Sequence, residues 1–180
     1  MIENVLTYMV FSPLVGMAVV LLLPSARHNL IRWVAALFTV PPLLLAFWLF
    51  GNFDRANPGL QFVEKVPWIP AYNIEYFVAV DGISISMVLL SALICFLCIF
   101  ASWGIDKAVK GYFALFLLLD TGMMGVFVAL DFFLFYIFWE LMLLPMYFLI
   151  GIWGGPRKEY AAIKFFIYTF TGSLFTLAGF

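Results

Sequence analysis

Phe132-Phe-Leu-Phe-Tyr-Ile-Phe-Trp-Glu140-Leu-Met-Leu-Leu-Pro145-Met-Tyr-Phe-Leu-Ile-Gly-Ile-Trp153 is an apolar run of 22 residues interrupted by one charge. At roughly 1.5 Å per residue, a helix of that length crosses a ~30 Å hydrocarbon layer. An isolated ionised side chain near the middle of such a span costs at least ~2.5–3.5 kcal/mol on insertion scales. Glu140 is therefore expected to serve function, with a partner group or water beside it. The alternative is a neutral carboxyl that hydrogen-bonds between helices as packing glue.

Working outward, the whole chain shares this character. Of its 180 residues 66% are hydrophobic and 11% charged, against about 25% charged in ordinary soluble domains. The sequence predicts an all-α, polytopic transmembrane helix bundle. Six apolar segments stand at about 6–23, 33–50, 83–103, 112–130, 132–153 and 160–180. The first follows Glu3 rather than a basic leader and lacks a small-residue cleavage pattern, so it is read as a spanning helix. The last runs into Ala178-Gly179-Phe180 without a polar cap or stop signal, which suggests an unfinished bundle.

Basic residues set the expected orientation. Arg27, Arg32, Lys107, Lys110, Arg157 and Lys158 fall in alternate loops that share one side, and Lys164 can snorkel to it. The opposite side holds Arg55 and Lys65. The amino terminus and the long loop, residues 51–82, are thus expected to face outward. Within that loop Leu60–Val66 and Asn73–Val80 alternate loosely between Asn57-Pro58-Gly59 and Pro67-Trp68-Ile69-Pro70, predicting a small outer β-hairpin. Asp81 is placed to cap the third helix and Asp131 the fifth. Pro41-Pro42 removes two consecutive donors from the second span and predicts a kink or break there.

Asp131 alone separates the fourth and fifth segments, so these form a tight antiparallel helical hairpin. Glu140 lies nine residues inward from that turn, about 13 Å, and Asp120 eleven residues back, about 16 Å. Two carboxyls at one level on neighbouring helices make a candidate proton-loading pair; helix rotation decides whether they face one another. Tyr136 and Tyr147 share the Glu140 side of the helix and can support a polar interior face. Pro145 frees the carbonyl of Leu141. An approaching ammonium favours the charged form of a buried carboxyl and its withdrawal favours the protonated form. The span has no lysine at that depth, so the cation must come from elsewhere.

Other chemistries are absent from the pattern. There is no phosphate-binding glycine loop, no nucleophile–base arrangement, no metal-ligand cluster and no basic stripe for nucleic acid. Cys95 and Cys98 lie deep in an apolar segment and read as small buried hydrophobes. Gly122 and Gly125 read as close-packing positions in the fourth helix.

The stretch Phe132–Gly155, with Trp139-Glu140, Pro145 and Trp153-Gly-Gly155, followed by Tyr160-Ala-Ala-Ile-Lys164-Phe-Phe-Ile-Tyr-Thr169, resembles the antiporter-like membrane subunits of proton-pumping NADH:quinone oxidoreductase, respiratory complex I, of the M (chain 4) type. Val66-Pro-Trp-Ile-Pro70 and Val80-Asp-Gly-Ile-Ser84 share in the resemblance. It implies a fold of about fourteen helices containing two inverted five-helix repeats. Residues 1–111 would then hold three amino-terminal helices, and 112–180 the first three helices of the first repeat. The resemblance makes Glu140 the proton-loading carboxylate, paired in the family with a lysine on a later broken helix that this chain lacks. Asp120 becomes a coupled second site, and Lys164 matches a motif lysine with no role to transfer. It further implies an inner-membrane, multi-pass location with a periplasmic amino terminus. Other complex I membrane subunits and the bilayer would be the partners. This chain would carry no cofactor; NADH, flavin, iron–sulfur clusters and quinone would belong to partner subunits. The alternatives are a monovalent cation/proton antiporter subunit of the same fold and a structural bundle without ion transport.

Overall fold

The computed structural model describes residues 4–57 and 59–179. Glu3, Pro58 and Phe180, which enter the sequence reading above, lie outside the described residues. Six helices follow the six apolar runs: α1 (Val5–Leu22), α2 (His28–Asn52), α3 (Ser84–Ala101), α4 (Val109–Val128), α5 (Phe132–Trp153) and α6 (Lys158–Gly179). All six are long and apolar enough to span a membrane, so the chain is a multi-pass membrane protein. Their interior faces carry small residues where backbones approach. A Cβ on Gly16 would stand 2.4 Å from Phe38 across the α1–α2 contact. Residues at Gly122 and Gly125 meet α5 in the same way. Small residues let membrane helices pack by close van der Waals contact where hydrophobic burial offers no drive.

Helix α4 is the hub, packed on α1, α5, α3 and α2, whereas α6 packs chiefly on α5. The bundle has two dry clusters stacked along its axis. Leu6, Met9, Leu49, Val88, Met124 and Phe138 belong to one, and Val20, Ile31, Ile99, Phe113 and Leu117 to the other. The first lies at the end closed by a β-hairpin and the second at the end bearing the basic loops.

That hairpin is the antiparallel pair β1 (Gln61–Ile69) and β2 (Ile74–Val80), joined by a short 3-10 turn at Pro70–Tyr72. The sequence reading set Pro67-Trp68-Ile69 aside as a turn, yet β1 runs through them. A two-stranded ribbon leaves each strand one unpaired edge, where a proline without its N–H is tolerated. Val78, Ala79 and Val80 are buried under the bundle's end. Leu130 N–H donates to Phe77 O at 2.9 Å and Glu75 N–H to Asp131 Oδ2 at 3.2 Å, stitching β2 to the α4–α5 turn.

A longer-range clasp holds α1. Glu64 of β1 accepts Leu6 N–H at 2.7 Å and Thr7 N–H at 3.1 Å, two of the donors a helix start leaves unpaired. The Thr7 hydroxyl also bonds to Glu64 and lies 2.8 Å from the Tyr76 hydroxyl. Since threonine has one hydrogen, Tyr76 donates to Thr7 and Thr7 to Glu64. Burial raises the Tyr76 phenol above its ordinary value, and the nearby Glu64 carboxylate adds to the rise.

Both expected caps form. Asp81 accepts from Ile83 and Ser84 N–H at 2.9 and 2.7 Å, and Asp131 from Leu134 N–H at 3.0 Å. Of the kink or break expected at Pro41-Pro42, the break is absent: α2 is one continuous helix from His28 to Asn52. Arg32, counted above as a loop cation, is instead buried on α2. It donates to Asp106 at 2.7 Å and to Ile105 O at 2.9 Å, tying α2 to the α3–α4 connection.

Candidate functional site

The site begins with what fixes α5. Asp131 caps its start, and two glycines of α4 bring it close. A Cβ on Gly125 would sit 2.3 Å from the Phe138 ring, and one on Gly122 would be 2.7 Å from Met142. Phe138 and Met142 thus mark the face of α5 turned to α4. Glu140 is two residues from each, about 200° around at roughly 100° per residue. Its carboxyl therefore points away from α4 and toward α6.

There it meets Ser173, which is 3% exposed. The Ser173 hydroxyl bonds to Glu140 Oε1 and lies 3.0 Å from the Tyr136 hydroxyl. Ser173 stands as donor toward both Glu140 and Tyr136, and with one hydrogen to give it serves one of them at a time. Tyr136, Ser173 and Glu140 form one hydroxyl–carboxyl cluster within the span. Two cavities meet at Ser173. A small one of about 80 Å³ is lined by Phe135, Tyr136, Trp139, Ser173 and Thr176. A larger one of about 740 Å³ opens between α4, α5 and α6 and adds Thr169. Thr169, Ser173 and Thr176 are spaced i, i+4, i+7 and form a hydroxyl stripe on α6. Sites of this size with polar groups on the wall can hold water.

Asp120 takes the opposite direction. It stands two residues before Gly122, about 200° away from the α5-facing side of α4. Buried to 1% exposure, it has neither carboxyl oxygen in a hydrogen bond among the described residues. Its polar neighbour is the Cys95 thiol of α3. Along the bundle it sits between Leu117 of one dry cluster and Met124 of the other. The structure thus places the two carboxyls on opposite sides of the α4–α5 contact.

The other sequence-derived site residues lie apart. Tyr147 packs its ring on Phe148 and Phe166, and no hydrogen bond joins it to Glu140. Lys164 is exposed, with its ammonium 5.7 Å from the Tyr160 ring. It stands nine residues from Ser173, about 13 Å along α6. Ser173, Thr169 and Thr176 escaped the sequence reading, although their helical spacing was the available signal. Nothing in the sequence pointed to Cys95 as the neighbour of Asp120.

Comparison with known proteins places this cluster. The family described as NADH:quinone oxidoreductase/Mrp antiporter, transmembrane, matches residues 129–180, which include Glu140, Tyr136 and Ser173. The chain is similar to NADH-quinone oxidoreductase subunit M of Rhodobacter capsulatus, 45% identical over 97% of this chain and 35% of that protein. It is 38% identical to an NAD(P)H-quinone oxidoreductase chain 4 of Microcystis aeruginosa, over 96% of this chain and 31% of the relative. Its fold matches a chain of respiratory complex I from Thermus thermophilus with TM-score 0.80 and 28% identity, covering 96% of this chain and 34% of that one. The chain therefore spans about a third of the length of the relatives it matches.

Proposed function

We propose that this chain is part of a proton-translocating membrane subunit of an NADH:quinone oxidoreductase, in which Glu140 is the proton-loading carboxylate. The observation that carries the reading is the Glu140–Ser173–Tyr136 cluster, bordered by cavities, inside the segment matched to the antiporter family. A carboxyl that touches one hydroxyl, itself bonded to a second, can exchange a proton through them without forming a free charge in hydrocarbon. Its charge state would answer to an ammonium that approaches and withdraws, supplied by a lysine outside residues 1–180. Asp120 would be a second protonatable site. Because α4 and α5 separate it from Glu140, coupling between the two would pass through the helices rather than through direct contact.

In this reading residues 112–180 are the first three helices of an antiporter-like repeat, and α1–α3 flank it. NADH, flavin, iron–sulfur clusters and quinone belong to partner subunits. The partners are the neighbouring antiporter-like membrane subunits, and the site is the inner membrane with the hairpin end facing the periplasm. Seven of the nine lysines and arginines at the other end support that orientation. A second reading is a monovalent cation/proton antiporter subunit, since the matched family includes antiporters.

The test is Glu140→Gln in inverted membrane vesicles, with NADH-driven acidification followed by dye quenching while NADH oxidation is followed by absorbance. Severe loss of acidification per NADH is expected. Unchanged pumping sinks the loading role. A gradient that depends on sodium and needs no NADH favours the antiporter reading.

A further inference from the structure

At the end of the bundle that carries the basic loops, the α5–α6 turn opens into a groove of about 810 Å³. Arg157, Lys158 and Lys164 border it, with Ile150, Tyr160 and Tyr168 among its apolar walls. None of these cations is neutralised by a carboxylate. Among the described residues the salt bridges are Arg32–Asp106 and Lys65–Glu75, both remote from this turn. Lys158 is partly committed, donating to Ile152 O at 2.9 Å. Arg157 and Lys164 have no ion pair. Lys164 lies six residues into α6, about 9 Å along its axis. An ammonium that deep reaches the surface by lying its stem along apolar neighbours, which fits its position over Tyr160.

The groove thus sets cations at its mouth and at Lys164, whose stem carries its ammonium outward, beside apolar walls at Ile150, Tyr160 and Tyr168. That combination complements a molecule with an anionic head and apolar tails. Basic pockets between membrane helices at the positively charged side are favoured sites for anionic lipid head groups. A free anion would have no use for the walls at Ile150 and Tyr168. We infer that this groove is a binding site for an anionic phospholipid, whose phosphate is held by Arg157 and Lys164 and whose acyl chains lie on Ile150 and Tyr168. This gives Lys164 a task separate from proton movement at Glu140.

The test uses the full chain, delipidated in detergent and titrated with phosphatidylglycerol or phosphatidylcholine, with bound lipid counted by native mass spectrometry. One tightly held phosphatidylglycerol per chain is expected at this site, with no matching phosphatidylcholine. Arg157→Gln with Lys164→Gln should weaken it by about tenfold or more, from the attraction that each cation provides near a membrane surface. Arg55→Gln at the hairpin end should leave it unchanged. The charge-keeping pair Arg157→Lys with Lys164→Arg should retain binding, which separates lost charge from lost folding. Equal retention of both lipids, equal loss in Arg55→Gln, or displacement by excess inorganic phosphate would each overturn the assignment. So would the absence of any retained lipid, the outcome expected if another helix fills the groove.

Discussion

Truncating Glu64 to alanine should loosen α1 at its start, although 57 residues separate Glu64 from Thr7. The carboxylate serves Leu6 N–H, Thr7 N–H and the Thr7 hydroxyl, and it is only 9% exposed. Hydrogen bonds to a charged group contribute about 1.5–3 kcal/mol each, and a buried donor left without a partner loses about 1–3 kcal/mol. An anion at a helix start adds roughly 0.3–1 kcal/mol through the helix dipole. Water reaching the opened end recovers part of the sum, so a local loss of about 3 kcal/mol is expected for Glu64→Ala. At 1.4 kcal/mol per tenfold, the amides of Leu6 and Thr7 should exchange with deuterium about 100-fold faster. Glu64→Gln keeps one acceptor oxygen but turns an N–H₂ toward Thr7, and it should fall between, near tenfold. Amides in the middle of α2 serve as the internal control and should not move. Exchange at Leu6 and Thr7 within threefold of the parent in Glu64→Ala would refute the clasp.

Gly125→Ala drives a methyl into the Phe138 ring and should cost about 1–3 kcal/mol, seen as a lower thermal midpoint in detergent. Gly111→Ala, whose nearest neighbour would be 3.8 Å away, should be neutral or raise the midpoint through helix propensity. The Asp81 carboxyl is held below its ordinary value, chiefly by the Ser84 N–H. Its capping contribution is therefore complete above the unfolded value, near ~4. It is lost as pH falls through the lower folded value, so exchange at residues 84–88 should quicken only under such acid conditions. Asp106→Asn removes a partner that is 84% exposed and should shift the midpoint by less than the equivalent of about 1 kcal/mol. Ser173→Ala leaves Glu140 without its hydroxyl neighbour and should slow NADH-driven acidification severalfold while Tyr136→Phe has a smaller effect.

The spans were legible because each is a long apolar run, and length alone separates such runs from core strands. The caps at Asp81 and Asp131 were legible because an N-cap acts on amides two or three residues away. Rotation about the helix axes was not. The near-uniform apolar surface of α4 and α5 gives no periodic signal, so which sides Asp120 and Glu140 occupy depended on Gly122 and Gly125 meeting Phe138 and Met142. Partners far along the chain were hidden for the same reason. Ser173 stands 33 residues after Glu140, and local spacing cannot report a contact between helices. Tyr136 emerged because it lies one turn before Glu140 on the same helix, although its hydroxyl bonds to Ser173 of α6, and Tyr147, on the same argument, turned to Phe166 instead.

The Glu64 clasp also dictates an order of events during synthesis. Helix α1 emerges first, but the oxygens that pair its leading amides emerge with β1, after α2 has been made. The ribbon that presents Glu64 is anchored in turn by Leu130 and Asp131, which appear only when α4 is complete. Synthesis proceeds at about 5–20 residues per second. For several seconds, therefore, α1 and α2 reside in the bilayer as a hairpin with an unsealed end, and the arrival of the α4–α5 turn closes it. The first helix of this chain is finished only after the fourth has been made.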